Sequence, residues 1–370
     1  MKKEELEQKL KAKECFLEIS THDNFIELLD TLKSIDEIEE VETNSLKLEF
    51  DETGYFIRTS DDRRLPMLST SVSQLARRGG TDCELVTKKD KSGEYSIVSE
   101  VINLGLNYAT DSTTLLYKRG GNVIGAFSRV YQPREQKDLY TNATNHLIKR
   151  FPKLKFLKAT YSHDLTSAFF SIGDCTEDFM EAYALAWKRS GYDEEALSKT
   201  EPCIMISTSD SGKSSVSISA YIKQYGLYRI LSDRLQERHY GSIAGNESLS
   251  KKIESVFAGM CKNIDRLVEL MDTQIEHPVN ALINAMNKGG NRSLSNLCKK
   301  ACYSVINAYK SVYTSSESAY DVYTALLELQ YTTELSNMNR NTVINTTEAI
   351  YRTLSYDWKA LDTTRIPVLH

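Results

Sequence analysis

Proline is scarce in this chain, 6 of 370 residues, and tryptophan scarcer still, with 2. So little proline excludes a proline-rich linker or a polyproline rod. No apolar run reaches the roughly 18 residues needed to cross a bilayer. The first residues, "MKKEELEQKLKAKE", are charged throughout and do not read as a secretory signal. The seven cysteines (15, 83, 175, 203, 261, 298 and 302) are odd in number and scattered. That pattern excludes a paired disulfide framework and fits reduced thiols in a cytoplasmic setting. The six histidines show no His-x3-His or Cys-x2-Cys spacing, so neither a metal nor another cofactor is expected. No Gly-x-Ser-x-Gly elbow marks a nucleophile. His163, Asp164 and His239 are the groups an enzyme would use, but no reactive constellation joins them, and the reading is non-enzymatic.

What is present is an ordinary globular composition, 41% hydrophobic and 26% charged, with 21 tyrosines. The net charge of −5 conceals a segregation. Residues 1–62 carry 8 Lys/Arg against 18 Asp/Glu, whereas residues 118–158 carry 10 Lys/Arg against Glu135 and Asp138. The basic stretch is the footprint of a polyanionic partner, a solvated face, or a surface against which the acidic N-terminus packs.

Residues 2–40 read as helix, broken at "STHDN" with Asp23 or Asn24 as cap. "SLKLEF" and "GYFIRTS" read as strands about a turn, and "LSTSVSQLARRGG" as a helix ended by a glycine pair. Apolar runs on either side of Arg119-Gly120-Gly121-Asn122 predict a hairpin. Residues 134–151 read as amphipathic helix, with Leu139, Ala143, Leu147 and Phe151 at spacing four. Strands are expected at 155–162, 167–172, 203–208 and 214–222, with a helix at 176–191 between the middle two. From about Glu247 the pattern is helical. A stripe from Ile253 through Phe257, Met260, Ile264 and Leu267 to Met271 is either a bundle face or the seam of a homo-oligomer.

The expected fold is α+β: N-terminal helices, a central mostly antiparallel sheet with packed helices, and a C-terminal helical bundle. The expected divisions are an acidic helical segment at 1–62, an α+β core at 63–245 and a helical region at 246–370.

The stretch "TSDSGKSSVS" after "PCIMIS" has the Gly-Lys-Ser of a phosphate-binding loop. The required first glycine is replaced by Ser207, and the residues behind the lysine alternate polar and apolar at period two. The stretch therefore reads as a hairpin turn between two strands. The basic region interleaves cations with aromatics, as surfaces for single-stranded nucleic acid do. Its candidate contacts are Lys118, Arg119, Arg129, Tyr131, Arg134, Lys149, Arg150, Lys153, Lys155 and Lys158, with Lys213 from the hairpin.

Four segments carry a resemblance: Gln74-Leu75, Arg119 with Ser128 to Tyr131, Ser209 to Gly212, and His239 with Gly241. They resemble, in order, the phage and plasmid proteins grouped as domain of unknown function 932, over roughly residues 65–350. The resemblance implies an intracellular protein of a phage or mobile element, working in the cytoplasm of a bacterial host, and no defined chemistry. Together the two lines lead to an expected nucleic-acid-binding protein, with single-stranded DNA favoured, acting in replication or recombination as a binding or annealing factor. The acidic N-terminus would cover the groove until nucleic acid displaces it. The alternative is an anti-defence protein whose acidic face, centred on 36–52, occupies a basic groove on a bacterial immune nuclease. No membrane partner is expected.

Overall fold

The computed structural model describes residues 3–12, 15–110, 112–131, 135–211, 215–224, 227–232, 235–237, 246–312, 316–336 and 340–370. Contacts group the chain into two compact units. The first comprises Met1–Phe170, Met205–Ile218 and Arg234–Lys252, and the second Ser171–Ile204, Ser219–Asp233 and Ile253–His370. No helix among the described residues is long and apolar enough to cross a membrane.

The N-terminal region departs from the all-helical expectation. It runs α1 (Lys3–Leu10), β1 (Phe16–Ile19), α2 (His22–Ile35) and β2 (Asp36–Glu42). β1 alternates exposed and buried residues, with Phe16 and Glu18 outward and Leu17 and Ile19 inward. That two-residue period is invisible when the same apolar residues are counted for a helix. The cap of α2 is Thr21, whose hydroxyl accepts from the Asn24 amide at 3.3 Å, rather than Asp23 or Asn24. The glutamate-rich run "DEIEEVE" has good helix propensity but lies extended as β2. Pairing with a later strand outweighs a propensity of a few tenths of a kcal/mol per residue.

Next come β3 (Lys47–Asp51), β4 (Gly54–Arg58) and β5 (Arg64–Pro66), a three-stranded sheet in that order. Helices α3 (Ser69–Arg78), α4 (Cys83–Lys91) and α5 (Tyr95–Asn107) come after it. The expected hairpin is β6 (Thr113–Arg119) and β7 (Asn122–Ser128), joined through Gly120 at φ 55° and Gly121 at φ 90°. Both values favour glycine, as a turn with two left-handed residues requires. β2 adds to the free edge of β6. Leu48, Ile57, Val72, Leu75, Ile102, Leu106, Leu116 and Val123 form a shared core beneath these sheets and helices. Asn103 of α5 both donates to the Leu48 carbonyl and accepts from its amide, tying the helix to β3.

After α6 (Gln136–Arg150) come β8 (Lys155–Ser162), β9 (Leu165–Ser171), α7 (Glu181–Arg189), α8 (Glu194–Ser198), β10 (Glu201–Thr208), β11 (Val216–Gln224), β12 (Leu227–Ile230) and β13 (Leu235–Glu237). The largest sheet has seven strands in the order β1-β8-β9-β10-β11-β12, with β13 also paired to β11. "PCIMIS" and "SVSISAYI" are thus neighbouring strands β10 and β11, as expected, although Gly212 to Ser214 lie outside the described residues.

The remainder is α9 (Asn246–Met271), the short β14 (Gln274–Ile275), α10 (Pro278–Asn287), α11 (Leu294–Val312), β15 (Glu317–Ser318), α12 (Ala319–Leu327), α13 (Thr333–Ser336), α14 (Arg340–Thr353) and α15 (Trp358–Leu361). The architecture is α+β with a helical C-terminal region. The stripe from Ile253 to Met271 is buried within the chain, so it is a core face and not an exposed oligomer seam. The boundary expected at residue 62 is also replaced. β1 pairs with β8, β2 with β6, and β3 and β4 with each other and with β5, so residues 1–62 supply hydrogen-bonded strands to three sheets and are not a separate cover.

Gly79, which caps α3, is held to glycine by space. A Cβ there would stand 2.8 Å from backbone atoms of Gly105 and Leu106. Gly79→Ala is expected to destabilise the fold by about 1–3 kcal/mol in urea melts, because neither backbone can yield. Gly80→Ala, at φ +66° with open space around it, should cost about 1 kcal/mol.

Candidate nucleic-acid interface and a buried arginine cluster

The antiparallel register of β2 and β6 places Asp36 opposite Arg119 and Glu37 opposite Lys118. Opposite charges on facing positions stabilise a strand pair. Lys118 is accordingly held by Glu37 at 2.8 Å and Glu39 at 3.0 Å. Arg129 reaches Glu40 at 3.5 Å and Lys158 reaches Glu18 at 3.0 Å. Lys137 pairs with Asp30 at 2.5 Å. Much of the basic stretch is therefore neutralised by the acidic one, within the first unit.

Arg119 is not a surface group at all: it is 1% exposed. Its Nε donates to Asp36 Oδ1 at 2.6 Å, and Nη2 donates to Asp36 Oδ2 at 2.5 Å and Asp210 Oδ2 at 2.7 Å. Nη1 donates to the Tyr161 hydroxyl at 2.8 Å. Tyr117 donates to Asp36 at 2.7 Å, and the Gln136 amide donates to Asp210. Burial pushes the Asp210 carboxyl above the usual carboxylate range, and Arg119 works against that push. Tyr131 is also buried, stacked on Phe127 with centroids 3.8 Å apart. Neither residue can touch a polyanion, because each is already committed to the interior.

Three of the four resembling segments meet at this cluster. The Gln74 amide donates to the Ser211 carbonyl, and its oxygen accepts from the Ala126 amide at 3.1 Å. The Tyr131 hydroxyl reaches the Asp210 carbonyl at 3.4 Å. Arg119 and Asp210 are the ion pair at the centre. The segments are thus fixed by a shared interior network. His239, Gly241 and Gly212 lie outside the described residues, as do the candidates Arg134 and Lys213. Sequence reasoning missed Asp36 and Gln136 as partners of this network. Asp36 carries one signal, a lone aspartate where a helix gives way to an extended run, but nothing local names its partner.

The enzyme candidates resolve in the same place. Ala12 O can only accept, so its 2.8 Å contact with His163 Nε2 puts the ring proton on that nitrogen. Nδ1 then accepts from the Tyr161 hydroxyl at 3.1 Å. Both nitrogens of His163 are thus engaged by interior groups. Burial lowers the His163 pKa from its ordinary value; the Ala12 bond opposes this and the Arg119 charge adds to it. Asp164 accepts from Ser211 at 3.0 Å. A cleft of about 640 Å³ runs past Cys15, His163 and Asp164 toward Phe50 and Tyr95. Burial pushes the Cys15 thiol up to about 11, so it is protonated at neutral pH and a poor nucleophile. Among the described residues no group of His, Cys, Asp and Glu is arranged to hold a metal ion.

A further set of cations lies together at the turn from α6 into β8. Lys149 and Arg150 end the helix, Lys153 sits in the turn and Lys155 opens the strand, and all four are exposed. Phe151 between them is buried, with the Arg150 guanidinium 5.3 Å from its ring centroid. The corner presents charge without an aromatic platform.

No family model matches the chain, and no curated protein or solved structure does either.

The cluster carries two expected outcomes. Arg119→Met strands the buried Asp210 carboxylate and the half-buried one of Asp36 and should cost about 3–5 kcal/mol in chemical denaturation, well above Asp210→Asn, which keeps an acceptor for Arg119 and Gln136. The lowered His163 pKa means the unfolded chain binds the proton more readily. Its contribution to stability is therefore present above the unfolded value near 6.5 and is lost as pH falls from there toward the folded value. Melts between pH 8 and pH 5 should show that loss, at most about 1.4 kcal/mol per pH unit, and His163→Gln should flatten it.

Proposed function

We propose that this chain is a non-enzymatic nucleic-acid-binding protein that holds single-stranded DNA by its phosphates at the α6–β8 corner. The observation that carries the reading is the grouping of Lys149, Arg150, Lys153 and Lys155 as exposed cations within one turn. Lysine and arginine bind phosphates by displacing condensed counterions, which needs exposure and clustering and no base recognition. Because Tyr131 and Phe151 are buried, stacking contributes nothing at this corner, and the binding is indifferent to sequence. A role in replication or recombination of a phage or mobile element agrees with such binding and rests on the resemblance alone.

The anti-defence reading is weakened by the ion pairs of the acidic face. Glu37, Glu39, Glu40, Glu49 and Asp51 are each bound to a lysine or arginine of the same chain. A face already neutralised is a poor imitation of nucleic acid.

Four phosphate contacts on a single strand give a log–log salt slope of about −3, so affinity should fall roughly 50-fold between 50 and 200 mM salt. Anisotropy titration of a labelled single-stranded oligonucleotide measures this. The triple variant Lys149→Glu, Lys153→Glu, Lys155→Glu should weaken binding at least tenfold and reduce the slope by about 2. No binding at 50 mM, or an unchanged affinity in the triple variant, overturns the proposal.

A further inference from the structure

The second unit contains another buried arginine, in a different predicament. Arg229 on β12 is 2% exposed. Its Nη1 donates to Gln224 Oε1 at 2.8 Å, and its Nη2 stands 3.4 Å from the Thr324 hydroxyl. Its guanidinium lies 5.1 Å from the Tyr320 ring centroid, and the Tyr320 hydroxyl is in turn 3.0 Å from that of Tyr183. Gln224 is held in place through its amide, which donates to Thr200 at 2.7 Å and Ala196 at 3.2 Å. Among the described residues no carboxylate pairs with Arg229, and its Nε has no hydrogen-bond partner. One residue before Thr324, the fully buried Tyr323 hydroxyl also lacks a partner, and Tyr323 feels the Arg229 charge.

A guanidinium carries five donors and no acceptor and does not lose its proton. Without a counter-charge, which none of the described residues supplies here, a buried guanidinium is among the most unfavourable arrangements in a protein interior. The two unsatisfied groups, Arg229 Nε–H and Tyr323 O–H, can both donate. Among the described residues the site lacks an acceptor for these donors, and the fixed positive charge favours an anion in that place. Thr324, beside the guanidinium, also lines a groove of about 620 Å³ with Val305, Tyr309 and Tyr331, so the groove comes within one side chain of Arg229. Asp321 and Glu328 line the same groove, and the Asp321 carboxylate is already bonded by Ser318 and Tyr192.

We infer that the tyrosine-walled pocket of Arg229 is an oxyanion site, in which Arg229 and Tyr323 bind a phosphate or carboxylate group that enters past Thr324. The site is independent of the nucleic-acid reading, whose residues all belong to the first unit.

The test is thermal unfolding of the full chain in rising inorganic phosphate and, separately, acetate, with ionic strength matched by sodium chloride. Binding to the folded state alone raises the melting temperature in a saturable way. A rise with phosphate only assigns a phosphate-type ligand, and a rise with acetate only assigns a carboxylate; either supports the site. Arg229→Gln should abolish the rise. Tyr323→Phe removes only an unpartnered hydroxyl, so it should fold like the parent and raise the half-saturating concentration roughly tenfold. The lysine triple variant should keep the full response. Melting temperatures identical to the chloride control with both anions overturn the inference. So does a response that survives Arg229→Gln or, should that variant not fold, one whose half-saturation Tyr323→Phe leaves unchanged.

Discussion

A single guanidinium holds the first unit to its pattern. Arg119 ends β6 in an interior that water does not reach, and a buried cation is tolerable only if opposite charge and acceptors surround it. Asp36 comes from 83 residues earlier and Asp210 from 91 residues later. Once those carboxylates are in place, the consequences spread. Asp36 opposite Arg119 sets the register of β2 on β6, and that register carries Glu37 to Lys118. Asp210 brings the end of β10 to Gln136 at the start of α6, and the next residue, Ser211, to Gln74 of α3. Tyr161 links the arginine to His163 and so to Ala12, behind α1. Helices and strands far apart in sequence thus share one polar centre whose members all depend on the same charge.

That centre changes the meaning of the charge segregation. An acidic N-terminal stretch and a basic central one suggest a partner when they are counted separately. In the fold they are mostly each other's partners, in surface pairs worth little individually and in one buried set that is costly to break. Lys149, Arg150, Lys153 and Lys155 at the α6–β8 corner keep their side chains exposed, and the proposed phosphate contact rests on that exposure.

The two buried arginines show how differently one residue type can be used. Arg119 is enclosed by two carboxylates and the hydroxyls of Tyr117 and Tyr161, and its charge is spent on the fold. Arg229 is enclosed by tyrosine rings, a glutamine and a threonine, with a donor left over. The first arrangement is closed; the second is complete only with an anion. Burial alone does not distinguish them, and the chemistry of the neighbours does.

Much of the secondary structure was legible in the sequence because it is encoded over short distances. The Gly-Gly turn of β6–β7, the four-residue spacing of α6, the alternating strands β10 and β11 and the apolar stripe of α9 each arise from neighbours a few residues apart. The hairpin reading of "TSDSGKSSVS" rests on the same local logic, and its strands are in place. The segments Phe16–Ile19 and Asp36–Glu42 on either side of α2 were misread for the converse reason. Their helix propensity is local, whereas the pairing that makes β1 and β2 strands comes from residues more than 70 positions away. The candidate contacts divide in the same way. Sequence decided that Lys118, Arg119, Arg129, Lys149, Arg150, Lys153, Lys155 and Lys158 are cations. Only the tertiary structure decided which are buried, which meet the acidic strands and which face solvent, because burial and ion pairing depend on which distant segments the fold brings together.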